Sequence, residues 1–159
     1  MTVKDIDKVE KSIRRELKKF KKSHVEVGIR DVINNQGESI LQYATVNEFG
    51  RPKAPGQPYI PPRSFIRSTV DEKKDEWFGL VQNQIDDILD LKAPSANVAL
   101  SRLGLFAEGD IKDKISSNIK PDNADSTKIA KAGSTSAVTR TLIDTGAMRT
   151  AVKYRVVGL

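Results

Sequence analysis

Asp144 is the residue whose setting most suggests chemistry in this chain. It stands in the segment Leu-Ile-Asp-Thr-Gly-Ala at residues 142–147, where two apolar residues precede an Asp-Thr-Gly triplet. A carboxylate in such a turn can act with a second carboxylate, so that the two share one proton. Because each chain supplies one aspartate of this kind, such a site requires two copies of the chain.

The triplet resembles the catalytic loop of a retroviral-type aspartic protease, but its position argues against that activity. Only 15 residues follow Asp144, and a protease domain of this type needs far more chain there to build a flap and the rest of its sheet. The two aspartates also need a rigid apolar cradle that this short segment does not supply. The protease is therefore a remote alternative, and we expect Asp144 and Gly146 to form a structural turn.

Other catalytic or ligand-binding patterns are weak. His24 is the sole histidine, and without a G-x-S-x-G segment it predicts a surface residue at a strand end. Asp86, Asp87 and Asp90 could hold a hard cation, but such sites usually recruit carboxylates from separate elements, so a solvated acidic face is expected. Phosphate-binding glycine motifs and cysteines are absent from the sequence. The sequence thus predicts a protein that is not an enzyme and has no metal or cofactor.

Length and composition predict one domain, residues 1–159. The chain has ordinary hydrophobic (38%) and charged (30%) fractions. A run of about 18 apolar residues, as a membrane span requires, is absent from the sequence, and so is a secretory signal at its start. We therefore expect no membrane partner.

Charge is concentrated near the beginning of the chain. Residues 1–22 contain nine Lys or Arg and four acidic residues, a net charge of +5, whereas the remaining 137 residues carry a net charge of +1. Such a basic segment can contact phosphates, an acidic protein neighbour, or only solvent. The basic residues that could contact the phosphates of DNA or an acidic partner are Lys11, Arg14, Arg15, Lys18 and Lys22.

Hydrophobic periodicity predicts an α+β fold with a small antiparallel sheet packed by two long antiparallel helices. Apolar residues three or four apart predict an amphipathic basic helix over residues 3–22. Alternation predicts strands at 24–30 and 152–156, which we expect to pair. A short helix is predicted at 38–48, with Gly50 at its end, and long helices at 63–91 and 95–120.

Two connecting segments stand out by composition. Residues 51–62 contain five prolines, which predict a stiff, extended connector that is either an interface loop or a plain surface linker. Residues 121–140 show almost no apolar periodicity and predict a flexible loop that becomes ordered in an assembly.

Three separated stretches carry a resemblance to a known family. They are residues 43–50 (Tyr-Ala-Thr-Val-Asn-Glu-Phe-Gly), residues 60–67 (Ile-Pro-Pro-Arg-Ser-Phe-Ile-Arg), and residues 127–131 leading into 141–149. In order and spacing they resemble the neck or tail-completion proteins of tailed bacteriophages and prophages, also described as minor tail or head–tail joining proteins. Ser64 and Thr141 stand where that family often has proline, and Met148 where it usually has leucine.

The resemblance implies a structural virion protein, present in the host cytoplasm during assembly and then in a homo-oligomeric ring at the head–tail junction. Implied partners are neighbouring head-closure and tail-terminator proteins and the DNA end in the channel. A ring uses heterologous interfaces that close by rotation. The interface candidates are Pro61, Pro62, Arg63, Phe65, Arg67 and Arg149. A nucleic-acid-binding module that uses the N-terminal helix is the alternative function.

Overall fold

The computed structural model describes residues 3–34, 37–92, 95–132, 141–143 and 145–158. In these ranges the chain forms six helices and two strands. In order they are α1 (Val3–Lys22), β1 (His24–Ile29), α2 (Ile40–Phe49), α3 (Ile66–Leu89), α4 (Ala96–Ser116), α5 (Asp125–Ala132), α6 (Ala147–Ala151) and β2 (Val152–Val157).

The fold is α+β, as predicted, with a two-stranded antiparallel sheet formed by β1 and β2. The Arg30 N–H donates to the Ala151 carbonyl at 2.8 Å, and Arg155 Nε donates to Glu26 Oε2 at 2.6 Å. In both pairs one residue number rises as the other falls, which is the register of antiparallel strands. Alternating side chains on these strands made the pairing predictable from the sequence.

The long helices α3 and α4 form the predicted antiparallel pair. Lys114 Nζ lies 2.5 Å from Glu72 Oε1, and Arg102 Nη1 donates to Gln84 Oε1 at 2.9 Å. Both helices are shorter than predicted: α3 begins at Ile66 instead of residue 63, and α4 ends at Ser116 instead of residue 120. Ser95 caps the start of α4, where its hydroxyl accepts the Val98 N–H at 3.4 Å.

The chain divides into two compact units. The first comprises the residues up to Val27, Lys74–Ala107, and the chain from Tyr154 onward. Its buried positions on α4 are mostly small, including Ala96, Ala99 and Ala107. Gly104 is also buried, and a side chain there would overlap the ring of Tyr154. The glycine therefore allows the β2 tyrosine to lie directly against the helix backbone.

The second unit comprises Gly28–Lys73 and Glu108–Lys153. Helices α2 and α6 contact each other in this unit. Its largest fully buried apolar side chains are Phe65, Ile111, Ile115, Leu142 and Val152. Burial of side chains of this size is worth about 1.5–3 kcal/mol each, so they anchor this unit.

Residues 51–60 of the proline-rich segment form a small hairpin. The prediction of an extended connector at 51–62 is therefore wrong. Arg51 and Ile60 exchange both backbone hydrogen bonds, at 2.8 and 2.9 Å. At the tip, the Gln57 N–H donates to the Ala54 carbonyl at 2.9 Å, and Gly56 has a φ of 74°. Proline followed by glycine at the centre of a tight turn favours such a reversal.

The predicted loop at 121–140 contains the helix α5, so the loop prediction is wrong for Asp125–Ala132. The helix was missed because it lacks an apolar stripe, and its one large apolar residue, Ile129, is 73% exposed. Its sequence Asp-Ser-Thr-Lys-Ile-Ala-Lys-Ala nevertheless places an acid in the first turn and good helix formers after it. Residues 133–140 lie outside the described part of the chain.

The Asp144 prediction also falls outside the described residues. Gly146, by contrast, is described, and it has the left-handed φ of 78° directly before α6. The Thr145 hydroxyl accepts the Ala147 N–H at 3.3 Å. A glycine is favoured at this position because its φ is positive.

Candidate functional site

Glu48 is the centre of a dense polar cluster in the second unit. It is the sole charged residue of α2, a helix whose Ala44 and Ile40 are buried. Glu48 is itself only 4% exposed. A carboxylate at that depth must be hydrogen-bonded, because desolvation of an unpaired charge costs several kcal/mol.

The Glu48 carboxylate caps the start of α3. Oε2 accepts the N–H groups of Phe65 at 2.7 Å and Ile66 at 2.9 Å. Oε1 accepts the Ser64 hydroxyl at 2.7 Å and the Arg67 N–H at 3.1 Å. The first N–H groups of a helix have no partner within the helix and form its positive end. Glu48 supplies both the missing acceptors and the matching charge.

Arg67 completes this cap from the side of the solvent. Its Nε donates to Glu48 Oε1 at 3.0 Å, and its Nη2 donates to the Glu48 carbonyl oxygen at 3.0 Å. The guanidinium carbon lies 4.7 Å from the centre of the Phe49 ring, which gives a cation–π contact. Arg67, an interface candidate, thus binds α2 of its own chain while its side chain remains 57% exposed.

These contacts fix the charge state of Glu48. Burial by itself raises the pKa of a carboxyl group. The hydrogen bonds from Ile66, Ser64 and Arg67 outweigh burial and hold the pKa of Glu48 below its ordinary value. Glu48 is therefore an ionised structural carboxylate and not a proton donor.

Arg63 connects the second motif stretch to two other parts of the unit. Its N–H donates to the Asn47 carbonyl at 2.7 Å. Its side chain, in a residue that is 6% exposed, donates from Nε to the Pro121 carbonyl at 2.7 Å and from Nη2 to the Asp122 carbonyl at 3.0 Å. Arg63 was predicted at an interface, but it is buried, and these two carbonyl oxygens accept the hydrogen bonds that its guanidinium would otherwise make with water.

The third stretch is tied to the same unit by Thr141. The Asn118 side-chain oxygen accepts both the Thr141 N–H at 3.0 Å and its hydroxyl at 2.7 Å. Asn123 Nδ2 donates to the Thr141 carbonyl at 3.3 Å. These bonds hold the segment before α6 against the chain that follows α4.

The three stretches thus converge in the second unit. Residues of the first and third stretches share the wall of a hollow of about 250 Å³. Its lining includes Tyr43, Thr127, Leu142, Gly146 and Met148. The second stretch joins the first through Arg63 and the Glu48 cap. Sequence reasoning missed the role of Glu48, although a lone acid in an apolar helix was a usable signal.

The remaining interface candidates differ in exposure. Phe65 was predicted at an interface, but its side chain is fully buried in the core of the unit. Pro62 and Arg149 are exposed, and Pro61 is half-buried. The surface also carries Phe49, which is 62% exposed and lines an apolar hollow of about 240 Å³ with Leu41, Ile66 and others.

The basic face of α1 is exposed in the first unit. Arg14 pairs with Glu10 at 2.7 Å, and Arg15 with Glu16 at 3.4 Å. Lys11, Lys18 and Lys22 are exposed and form no ion pair with any described residue. These three lysines are available to a partner.

Glu16 attaches α1 to the rest of its unit. It is 9% exposed and accepts the Ala96 N–H at the start of α4 at 3.2 Å, together with Lys19 Nζ at 3.0 Å. The hydrogen bond from Lys19 lowers the pKa of Glu16 more than burial raises it. Glu16 thus does for α4 what Glu48 does for α3.

The other candidate ligands lie on the surface. His24 begins β1 and is exposed, with Nε2 3.2 Å from Glu26 Oε1. Within the described ranges, no three His, Cys, Asp or Glu residues form a group suited to a metal ion. The described helices include none long and apolar enough to cross a membrane.

Comparison of the chain with protein-family models, with curated proteins and with solved structures found no match.

Proposed function

We propose that this chain is a structural, non-enzymatic virion protein of a tailed phage or prophage. In this proposal it forms part of the oligomeric neck or tail-completion ring that joins head to tail. Head-closure and tail-terminator proteins are its neighbours, and the DNA end passes through the channel. The basis is the family resemblance of the three motif stretches.

One structural observation carries the proposal furthest, namely the convergence of those stretches. Residues 43–50 and 60–67 meet at the Glu48 cap. Thr127, Leu142 and residues 145–148 line the hollow beside Tyr43 of the first stretch. The three stretches that carry the resemblance lie far apart in sequence, and their meeting in one structural joint gives them a common physical role. That joint positions the hairpin at 51–60 and the start of α3.

Exposed apolar side chains give the proposal a second support. Among the described residues, 14 large hydrophobic side chains are exposed, including Ile33, Phe49 and Tyr59 of the second unit. Single exposed apolar residues are common. Those that line open hollows, such as Phe49 and Leu41, are typical of surfaces that become covered in an assembly.

The proposal is tested by deleting the gene from the phage or prophage that carries it. Electron microscopy of the lysate is expected to show separate full heads and tails, with joined particles restored by the wild-type gene in trans. Joined particles at the wild-type frequency in the deletion strain would refute a role at the neck.

Nucleic-acid binding through α1 is the second candidate, and it is favoured by the exposed Lys11, Lys18 and Lys22, which form no ion pair with a described residue. Binding to duplex DNA would then weaken steeply with salt and would require α1. Lack of DNA retention at low salt would remove this candidate. The protease remains a remote alternative that an Asp144→Asn variant tests, since peptide cleavage should vanish in that variant.

A further inference from the structure

The charged faces of α1 and α3 have opposite sign and matching spacing. Helix α1 (Val3–Lys22) has a net charge of +5, and α3 (Ile66–Leu89) has a net charge of −3. On α1, five basic residues recur every three or four positions and so share one face, opposite the apolar stripe. They are Lys8, Lys11, Arg15, Lys18 and Lys22, all exposed.

The outward face of α3 carries two exposed acidic residues, one in the middle of the helix and one near its end. Asp75 and Asp86 are exposed and make no side-chain ion pair with any described residue. They are separated by eleven residues, which is about 16 Å along a helix. Lys11 and Lys22 on α1 are also eleven residues apart, so the two pairs of charges can meet in register.

Each of these acids has an exposed apolar neighbour one helical turn away. Phe78, which is 64% exposed, follows Asp75 by three residues, and Leu89 follows Asp86 by three residues. Phe78 also lines an open apolar hollow of about 250 Å³ with Val25, Trp77 and others of the first unit. The aliphatic stem of a lysine can cover such a residue, and its ammonium can contact the ring face.

We propose that the basic face of α1 docks on the acidic face of α3 in a second copy of this chain. The contact joins two different surfaces, so it can repeat from copy to copy and close into a ring. This inference rests on the proposed function, because a ring needs such a repeating contact. A second copy is favoured over nucleic acid because α3 of the chain itself carries an acidic face complementary to the basic face of α1. Phe78 and Leu89 on α3 are also eleven residues apart, like Lys11 and Lys22 on α1.

Charge reversal of each face tests the contact. One variant carries Lys11→Glu and Lys22→Glu, and the other carries Asp75→Lys and Asp86→Lys. Sedimentation velocity at low salt is expected to show wild-type oligomers that dissociate at high salt. Each variant alone should associate at least about tenfold more weakly, because attraction is replaced by repulsion at two positions. Circular dichroism verifies that each variant is folded.

The decisive sample is the mixture of the two variants. In the mixture every α1–α3 contact between the two different variants joins opposite charges, so association should recover well above the level of either variant alone. A control variant, Arg30→Glu with Lys120→Glu, has the same change in net charge at exposed positions outside α1 and α3 and should associate like the wild type.

Three results would overturn the contact. They are a wild-type monomer at low salt, undiminished association of the Lys11→Glu/Lys22→Glu variant, and failure of the mixture to associate. A monomer that binds a short DNA duplex through α1 would identify nucleic acid as the occupant instead. The deletion experiment is independent of all these outcomes, so the neck role can survive the loss of this contact.

Discussion

Arg67 binds Glu48 at two points, through Nε to the carboxylate at 3.0 Å and through Nη2 to the backbone carbonyl at 3.0 Å. The carboxylate also accepts three N–H groups at the start of α3. One buried side chain therefore fixes the angle at which α3 leaves α2 and the hairpin between them.

Removal of the Glu48 carboxylate should be the most destabilising single change in the polar cluster. Glu48→Ala leaves the N–H groups of Phe65, Ile66 and Arg67 without their acceptor, at a cost of about 3 kcal/mol in the free energy of unfolding. Urea denaturation measures this change. Glu10→Ala is the matched control, because Glu10 makes only an exposed pair with Arg14, worth at most about 1 kcal/mol. Equal losses in the two variants would contradict the cap.

Acid should weaken the protein through the same carboxylate. The pKa of Glu48 is lower in the folded chain than its ordinary value of 4.5. Its contribution is therefore complete above about pH 4.5 and is lost as the pH falls through the folded-state pKa. The urea midpoint of the wild type should fall in that acid range, and Glu48→Gln should show a shallower fall. Parallel pH curves for the two proteins would exclude Glu48 as a cause.

Glu16 should control how firmly α1 is attached. Glu16→Ala removes the acceptor of the Ala96 N–H and should cost about 1 kcal/mol, as the loss of a helix cap does. Limited trypsin digestion should then cut the Lys/Arg-rich α1 several-fold faster than in the wild type. Asp7→Ala, an exposed change on the same helix, should leave the rate unchanged. If both variants are cut equally fast, the Glu16 cap does not hold α1.

Two glycines of α4 should respond in opposite directions to alanine. Gly104→Ala places a methyl group where the Tyr154 ring lies and should destabilise the chain by about 2 kcal/mol. At Gly109 an added side chain meets nothing within 4 Å, so Gly109→Ala should stabilise the helix by up to about 1 kcal/mol. Thermal unfolding measures both. A tolerated Gly104→Ala would show that Tyr154 moves away without cost.

The sequence predicted what local periodicity determines. Alternation located β1 and β2, and three-to-four spacing located α1, α3 and α4, because each element buries one face. It did not reveal α5, which has no apolar stripe. Nor did it reveal the hairpin, since five prolines suggested extension and the Pro55-Gly56 turn is short.

The candidate site was harder to predict because its contacts are long-range. Arg63 was expected on the surface, as most arginines are. It is buried because Pro121 and Asp122, 58 and 59 residues away, bring carbonyl oxygens to it. Phe65 is buried for a similar reason, because the hydrogen bond from its N–H to Glu48 holds it against α2, 17 residues earlier in the chain. Local patterns do not report such pairings.

The location of the protein in a finished particle tests the central proposal most directly. The deletion strain is complemented with a tagged copy of the gene, and purified particles are labelled with gold against the tag. We expect gold at the junction of head and tail, in particles whose head and tail are joined. Gold confined to another part of the particle, or intact particles without the protein, would contradict a role in the neck.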